Sequence, residues 1–174
     1  MTVFEKHSWD QVNLFTYNAR IITLGYFMTY SIYLSGEIHS NWREQIQMGL
    51  ESNHLDTKIY SPVTDHEDSD NVGVEILGAE KKPFWKDHKA AKINALRTTT
   101  LIQRADFVVV RFGDKYRQWN AAFDAGFAIG LGKSLITLHG PELTHALKEI
   151  DGAALAVTET PQQVVDIIKY ISQA

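Results

Sequence analysis

The chain has no cysteine, so disulfides, thiolate nucleophiles and Cys-ligated zinc are excluded, and a reducing, cytoplasmic setting is the expectation. It has no basic excess: 17 Lys+Arg stand against 21 Asp+Glu, a net charge of -4. Binding to a nucleic-acid polymer needs a broad basic face, so no such partner is expected. No apolar run reaches the roughly 18 residues of a membrane span, and no membrane partner is expected either. There is no GxxxxGK[ST], no GxGxxG after a strand and no HExxH, which removes the P-loop, the dinucleotide fingerprint and the common zinc-protease helix. No cofactor and no metal are expected. Internal repeats, low-complexity tracts and linkers are also missing.

What remains is an ordinary globular composition, 44% apolar and 22% charged, in 174 residues, enough for one packed core. Residues 1–29 carry no compact apolar signal region, because Glu5, Asp10 and Arg20 interrupt it, and they show neither a 2- nor a 3.6-residue period. They read as an extension with Met28 as an alternative start, or else as a packed accessory element. Residues 30–174 read as one domain.

From residue 30 strands and helices alternate. SIYLSG (31–36), KIYSPV (58–63), DFVVVRFG (106–113), KSLITLHG (133–140) and AALAVTET (153–160) are short apolar runs suited to buried strands. Residues 41–53, 89–105, 119–132 and 161–174 have helical spacing, with Ser40 or Asn41 an N-cap for the first and Pro161 at the first position of the last. Ile93, Leu96, Leu101 and Ala105 are expected on one apolar face of the second. TDHEDSDNVG (64–73) reads as a polar loop. Continuous rather than alternating apolar strands point to helices on both sheet faces. The expected fold is therefore a single doubly wound α/β domain, Rossmann- or flavodoxin-like, with about five parallel strands. Ligands of such folds bind outside the carboxyl ends of the strands, which nominates the loops Ser35–Asn41, Pro62–Gly73 and Phe112–Asn120.

In the first loop Glu37, His39, Ser40 and Arg43 offer acid–base chemistry or a phosphate grip, or else capping and solvation. In the second, Asp65, His66, Glu67, Asp68 and Asp70 read as a solvated acidic stretch. Metal binding is the alternative, although the spacing fits no EF-hand, and Asp68 or Asp70 could accept ribose hydroxyls. In the third, Asp124 lies one turn into a helix whose positive dipole end faces the crevice, among Ala121, Ala122, Ala125 and Gly126. Its carboxylate is either a helix-start stabiliser or a nucleophile. The basic stretch 81–97 is an exposed helix face or an anion site, and Phe84, Trp85 and Trp119 are core residues or base-stacking partners. His54, His139 and His145 read as structural or surface residues.

AAFDAGFAIGLGKSLITL resembles the signature helix of the nucleoside 2-deoxyribosyltransferase superfamily, and IYLSGEI resembles that superfamily's first strand. GEIHSNWRE, DHEDSDNVG, ADFVVVRFGDKYRQWN and FDAGFAIGLGK together resemble the YtoQ family within it, over roughly residues 30–172. The resemblance implies that Asp124 stands at the nucleophile position and Tyr33 near it and the sugar. It implies attack of a carboxylate on the anomeric carbon, a glycosyl-enzyme ester and a homo-oligomer. Three departures follow from the same comparison: Asp124 replaces Glu, Arg97 and Thr98 replace an Asn-Asp pair, and Gln118 replaces an Asp. Glu37, His39 and Asp114 are the candidates for the missing acid.

The sequence thus predicts an enzyme that cleaves or transfers at the N-glycosidic bond of a small-molecule nucleoside or nucleotide. Catalysis is assigned to Asp124, Tyr33, Glu37 and His39, and substrate binding to Gly36, Arg43, Asp68, Asp70, Asp114, Trp119 and Asn120. A non-catalytic nucleotide-binding module on the same fold is the alternative, and a metal-dependent hydrolase using residues 65–70 a third reading.

Overall fold

The computed structural model describes residues 29–115 and 118–173. The expected extension therefore lies outside the described residues, apart from Thr29. The elements run β1 (Tyr30–Gly36), α1 (Trp42–Ser52), β2 (Thr57–Tyr60), α2 (His66–Leu77), α3 (Pro83–Arg104), β3 (Phe107–Arg111), α4 (Trp119–Gly130), β4 (Ser134–Leu138), α5 (Lys148–Ala153), β5 (Ala156–Thr158) and α6 (Pro161–Ile171). A 3-10 turn at Pro141–Leu143 precedes α5. All four strand pairings are parallel, in the order β2-β1-β3-β4-β5. The order reverses direction between β1 and β3, and that switch point is where an open α/β sheet leaves a crevice.

Helices cover both faces. On one, Trp42, Ile46 and Leu50 of α1 and Val164, Val165 and Ile168 of α6 pack on Ile32, Leu34, Val109 and Ile136. On the other, Ala121, Ala125 and Ala128 of α4, with Ile102 of α3, pack on Tyr33, Val108, Val110 and Leu135. The alanine face brings α4 close to the sheet at the switch point. The α6 start is a full capping box between Thr160 and Gln163, with Pro161 in the first turn.

Three expectations are corrected. Residues 66–77 are a helix, not a polar loop. Asp65 is its N-cap, accepting the Asp68 backbone N–H at 3.0 Å, and Glu67 and Asp68 sit in the first turn where the helix dipole favours negative charge. The acidic run is thus a helix start. α3 begins at Pro83, six residues earlier than its spacing suggested, because proline opens a helix as readily as it interrupts one. Its apolar face is also rotated: Leu96 is 66% exposed, while Ile102 and Ala105 are buried.

α2 and α3 pack mainly on each other. A Cβ at Gly73 would lie 2.2 Å from the Ala90 backbone nitrogen, so the two backbones touch where only glycine fits. Asn94 donates to the Ser69 carbonyl at 3.0 Å, and Lys89 donates to the last α2 carbonyls, Leu77 and Gly78.

The amino ends of the strands are stitched separately. The Asp106 carboxylate accepts both the backbone N–H and the hydroxyl of Ser31, at 2.8 and 2.7 Å, and these bonds hold its pKa below the usual range. Lys133 donates to the Gln103 and Ala105 carbonyls at the end of α3. Past the carboxyl end of β4 the buried His139 ring contacts Asp151 at 3.0 Å and Gly140 O at 2.8 Å, a structural role as expected.

Candidate functional site

Beyond the carboxyl ends of β1 and β2 lies a crevice of about 560 Å3, closed on the β3 side by α4. Its floor is Ser35 and Gly36 of β1. One wall comes from α2 and α3, the other from Asn120, Ala121, Phe123, Asp124 and Phe127 of α4. All three nominated loops therefore contribute to one space. A second hollow of about 520 Å3 adjoins it across Gly36, Ile38, His66, Asn120 and Ala121, and reaches Glu37, His39, Gln118 and Trp119.

Asp124 projects from the first turns of α4 into the crevice. The Ser35 hydroxyl donates to its Oδ2. Burial pushes the Asp124 carboxyl above its ordinary pKa, and the Ser35 bond pulls in the opposite direction without cancelling the rise. It is a carboxylate held in a partly dry wall rather than a cap on the end of α4.

Tyr33 is fully buried, and its hydroxyl donates to Thr98 Oγ1 at 3.3 Å. Burial pushes its phenol up to about 12. Tyr33 thus stands behind the crevice, and Thr98 is the hydroxyl of that pair which lines it.

Glu37 is 7% exposed and heavily bonded. It accepts the His39 backbone N–H and the Ser40 hydroxyl, and Arg111 Nε stands 3.6 Å away. Burial alone would raise its pKa, but the Ser40 and His39 bonds and the Arg111 charge outweigh it and hold the carboxyl low. It therefore stays ionised at neutral pH and fastens its own loop. Gly36 makes that loop possible: its φ is +101°, and a Cβ there would meet the Arg111 carbonyl oxygen at 2.0 Å.

Arg43 is a correction. Its guanidinium points inward, donating from Nε to Leu34 O at 3.1 Å, from Nη1 to Glu37 O at 2.6 Å and from Nη2 to Gly36 O at 3.0 Å. It also lies over the Trp42 ring. Burial lowers its pKa to about 10. β1 ends without a continuing partner for these carbonyls, and a five-donor planar cation satisfies them together. Arg43 lines neither hollow and is not placed to grip a ligand.

Asp70 lines the crevice, whereas Asp68 is exposed in the first turn of α2 away from it. Asp114 is exposed on the β3–α4 connection and lines neither hollow. Asn120 lines both, and Trp119, 70% exposed, lines the second. The His39 ring lies 5.8 Å from that of His66. Among the described residues no group of three or more His, Cys, Asp or Glu is spaced to hold a metal ion.

Sequence reasoning missed most of the α2–α3 wall. Asn94, Thr98 and Thr99 line the crevice, and Arg97 lines it while donating to Ser61 O at 2.6 Å. The spacing 91, 94, 98 marks this face inside the expected helix, and the extension of α3 back to Pro83 adds Asp87 to it. Ser35 has no role in the sequence reading, and His66 appears there only as part of the acidic stretch; each sits at an element end facing the crevice.

The family model described as Nucleoside 2-deoxyribosyltransferase YtoQ matches residues 33–172. A Bacillus subtilis (strain 168) protein named "Uncharacterized protein YtoQ" is 44% identical over 144 residues, covering 83% of this chain and 97% of its own. Among solved structures, a conserved protein from Enterococcus faecalis V583 superposes with a TM-score of 0.53 at 16% identity, covering 82% of this chain and 99% of the other. A 2-deoxyribosyltransferase from Bacillus psychrosaccharolyticus superposes with a TM-score of 0.49 at 18% identity, covering 78% and 90%. The likeness in fold rests on the former. No helix among the described residues is long and apolar enough to cross a membrane.

Proposed function

The chain belongs to the Nucleoside 2-deoxyribosyltransferase YtoQ family, and from that premise we propose that it cleaves the N-glycosidic bond of a small nucleoside or nucleotide with Asp124 as nucleophile. The observation that carries the reading is the Asp124 carboxylate itself, partly desolvated on α4 at the switch point and facing the crevice. Desolvation costs stability, and a fold keeps such a group where chemistry uses it.

One carboxylate oxygen attacks C1′ of the sugar. The C1′–N bond breaks, and its electron pair leaves with the base. The proton that the base needs comes from the His39–His66 pair, in which His66 stands on the partition between the two hollows and His39 lines the second. This leaves a glycosyl ester on Asp124. A second base nitrogen, or water, then attacks C1′, gives its proton back to the imidazole and frees the carboxylate as the C1′–O bond breaks, giving transfer or hydrolysis. Tyr33 serves through Thr98, and Glu37 serves by holding the His39 loop. Gly36 and Asn120 border the sugar, and Asp70 faces its hydroxyls across the crevice. The homo-oligomer and the cytoplasmic setting belong to the same reading.

The test is release of free base from ribo- and deoxynucleosides and their 5′-monophosphates, followed by chromatography, with Asp124→Asn beside the wild type. Release that disappears in the variant supports the assignment, and equal turnover in the variant overturns it. A second reading has one observation in its favour. Arg97, Thr98 and Gln118 stand where the resembling transferases carry other polar groups and acids, which suits a nucleotide-binding module without turnover. No release across the panel, together with a nucleotide-dependent rise in melting temperature, would establish that reading instead.

A further inference from the structure

We propose that Ser35 is a positioning residue for Asp124, fixing one carboxylate oxygen and leaving the other to attack. The inference rests on the proposed role of Asp124 and deepens it. Ser35 is 1% exposed at the penultimate position of β1, before Gly36, so its side chain is held by the strand and cannot wander. Its hydroxyl donates to Asp124 Oδ2 across the contact between β1 and α4. A carboxylate that accepts a bond on one oxygen loses rotation about its Cβ–Cγ axis, and its Oδ1 is presented in one orientation.

Asp carries one methylene fewer than Glu, so its carboxylate stays close to the α4 backbone and to the strand beneath it. The neighbouring hydroxyl on the same β1 face, Tyr33, is bonded to Thr98. Ser35 thus supplies the contact at the depth which an aspartate reaches.

Ser35 also favours the charged form of Asp124 against the effect of burial. A hydroxyl bonded to a carboxylate favours its charged form. The other titratable or charged groups around Asp124 are Tyr33 of β1, Asp65 and His66 at the start of α2, Asp70 of α2, and Asp87 and Arg97 of α3. Asp65 is already committed to capping α2, and Arg97 donates to the Ser61 carbonyl. Ser35 is the group in hydrogen-bond contact with the Asp124 oxygen and opposes its desolvation.

The experiment compares wild type with Ser35→Ala and Ser35→Thr in two measurements: kcat/KM against pH for base release, and the Asp124 carboxyl carbon titration by NMR. Ser35→Ala is expected to lower kcat/KM about ten- to a hundredfold, mostly in kcat. The acid limb and the Asp124 titration should both move to higher pH. Ser35→Thr keeps the hydroxyl and should restore both to the wild-type position. A near-isosteric Ser35→Cys, a weaker donor, should fall between, and it serves if the alanine variant does not fold. An unmoved limb and an unmoved titration in Ser35→Ala overturn the proposal. If Asp124→Asn keeps full turnover, the nucleophile reading fails, while the carboxyl titration still decides whether Ser35 governs Asp124.

Discussion

Two carboxylates stand at the same end of the sheet and live in opposite surroundings. Glu37 is buried, accepts from His39 and Ser40 and has the Arg111 charge beside it, and its pKa falls. Asp124 is half-buried with the Ser35 hydroxyl against one oxygen, and its pKa rises. Burial acts on both in the same direction, so it is the supply of donors that separates them. A carboxylate whose lone pairs are filled is architecture. One that is dried but poorly filled is kept in a reactive condition. Environments that push paired acids apart assign their roles.

The comparison breaks most sharply at Asp124. Asp124→Asn should cost at least ~10^3-fold in kcat/KM for base release, roughly 4 kcal/mol of barrier, while the melting temperature holds or rises. A fall in both together would mean that Asp124, like Glu37, is architecture. Arg43→Ala should come next. It strips donors from the Leu34, Gly36 and Glu37 carbonyls, and a loss of about 3 kcal/mol or more is expected in urea unfolding.

Glu37→Gln should cost about 1–2 kcal/mol at neutral pH, and its pH dependence sharpens the contrast. The folded pKa of Glu37 is lowered, so its contribution is present above the ordinary glutamate pKa and is lost as pH falls through the folded value. Asp124 has the opposite sign. Its folded pKa is raised, so wild type gains on Asp124→Asn below the ordinary aspartate range and loses that gain as pH rises through the folded value. Urea titrations of the two variants between acid and neutral pH should therefore diverge from wild type in opposite directions, and parallel curves would erase the distinction. The smallest effect belongs to Asp68→Asn. Asp68 is exposed at the start of α2, and removing its charge should cost a few tenths of a kcal/mol without changing turnover.

How far the molecule could be read in advance depended on which signals are local. The five strands and their parallel pairing follow from apolar runs such as FVVVR, and the switch-point rule points to the end of the sheet where the crevice lies. The start of α2 was hidden because His66, Glu67, Asp68 and Asp70 look like a solvated loop until Asp65 is seen capping them. Arg43 was misread because nothing local distinguishes an arginine that reaches outward from one whose donors close the end of a strand. Ser35 was overlooked because a hydroxyl gains meaning only from what lies opposite, here a residue 89 positions later in the chain. The short helix α5 has six residues and too little periodicity to stand out.

The stitching at the amino ends of the strands has one more consequence. Asp106, Ser31 and Lys133 tie β1, β3 and α3 together at the pole opposite the crevice. These ties therefore lie at the end of the sheet away from the candidate site. Substitutions that tighten this pole leave the crevice geometry untouched, and the crevice loops can diverge without loosening the frame. Durability and substrate choice can accordingly be changed one at a time, and an engineer stabilising this protein would begin at the pole farthest from its chemistry.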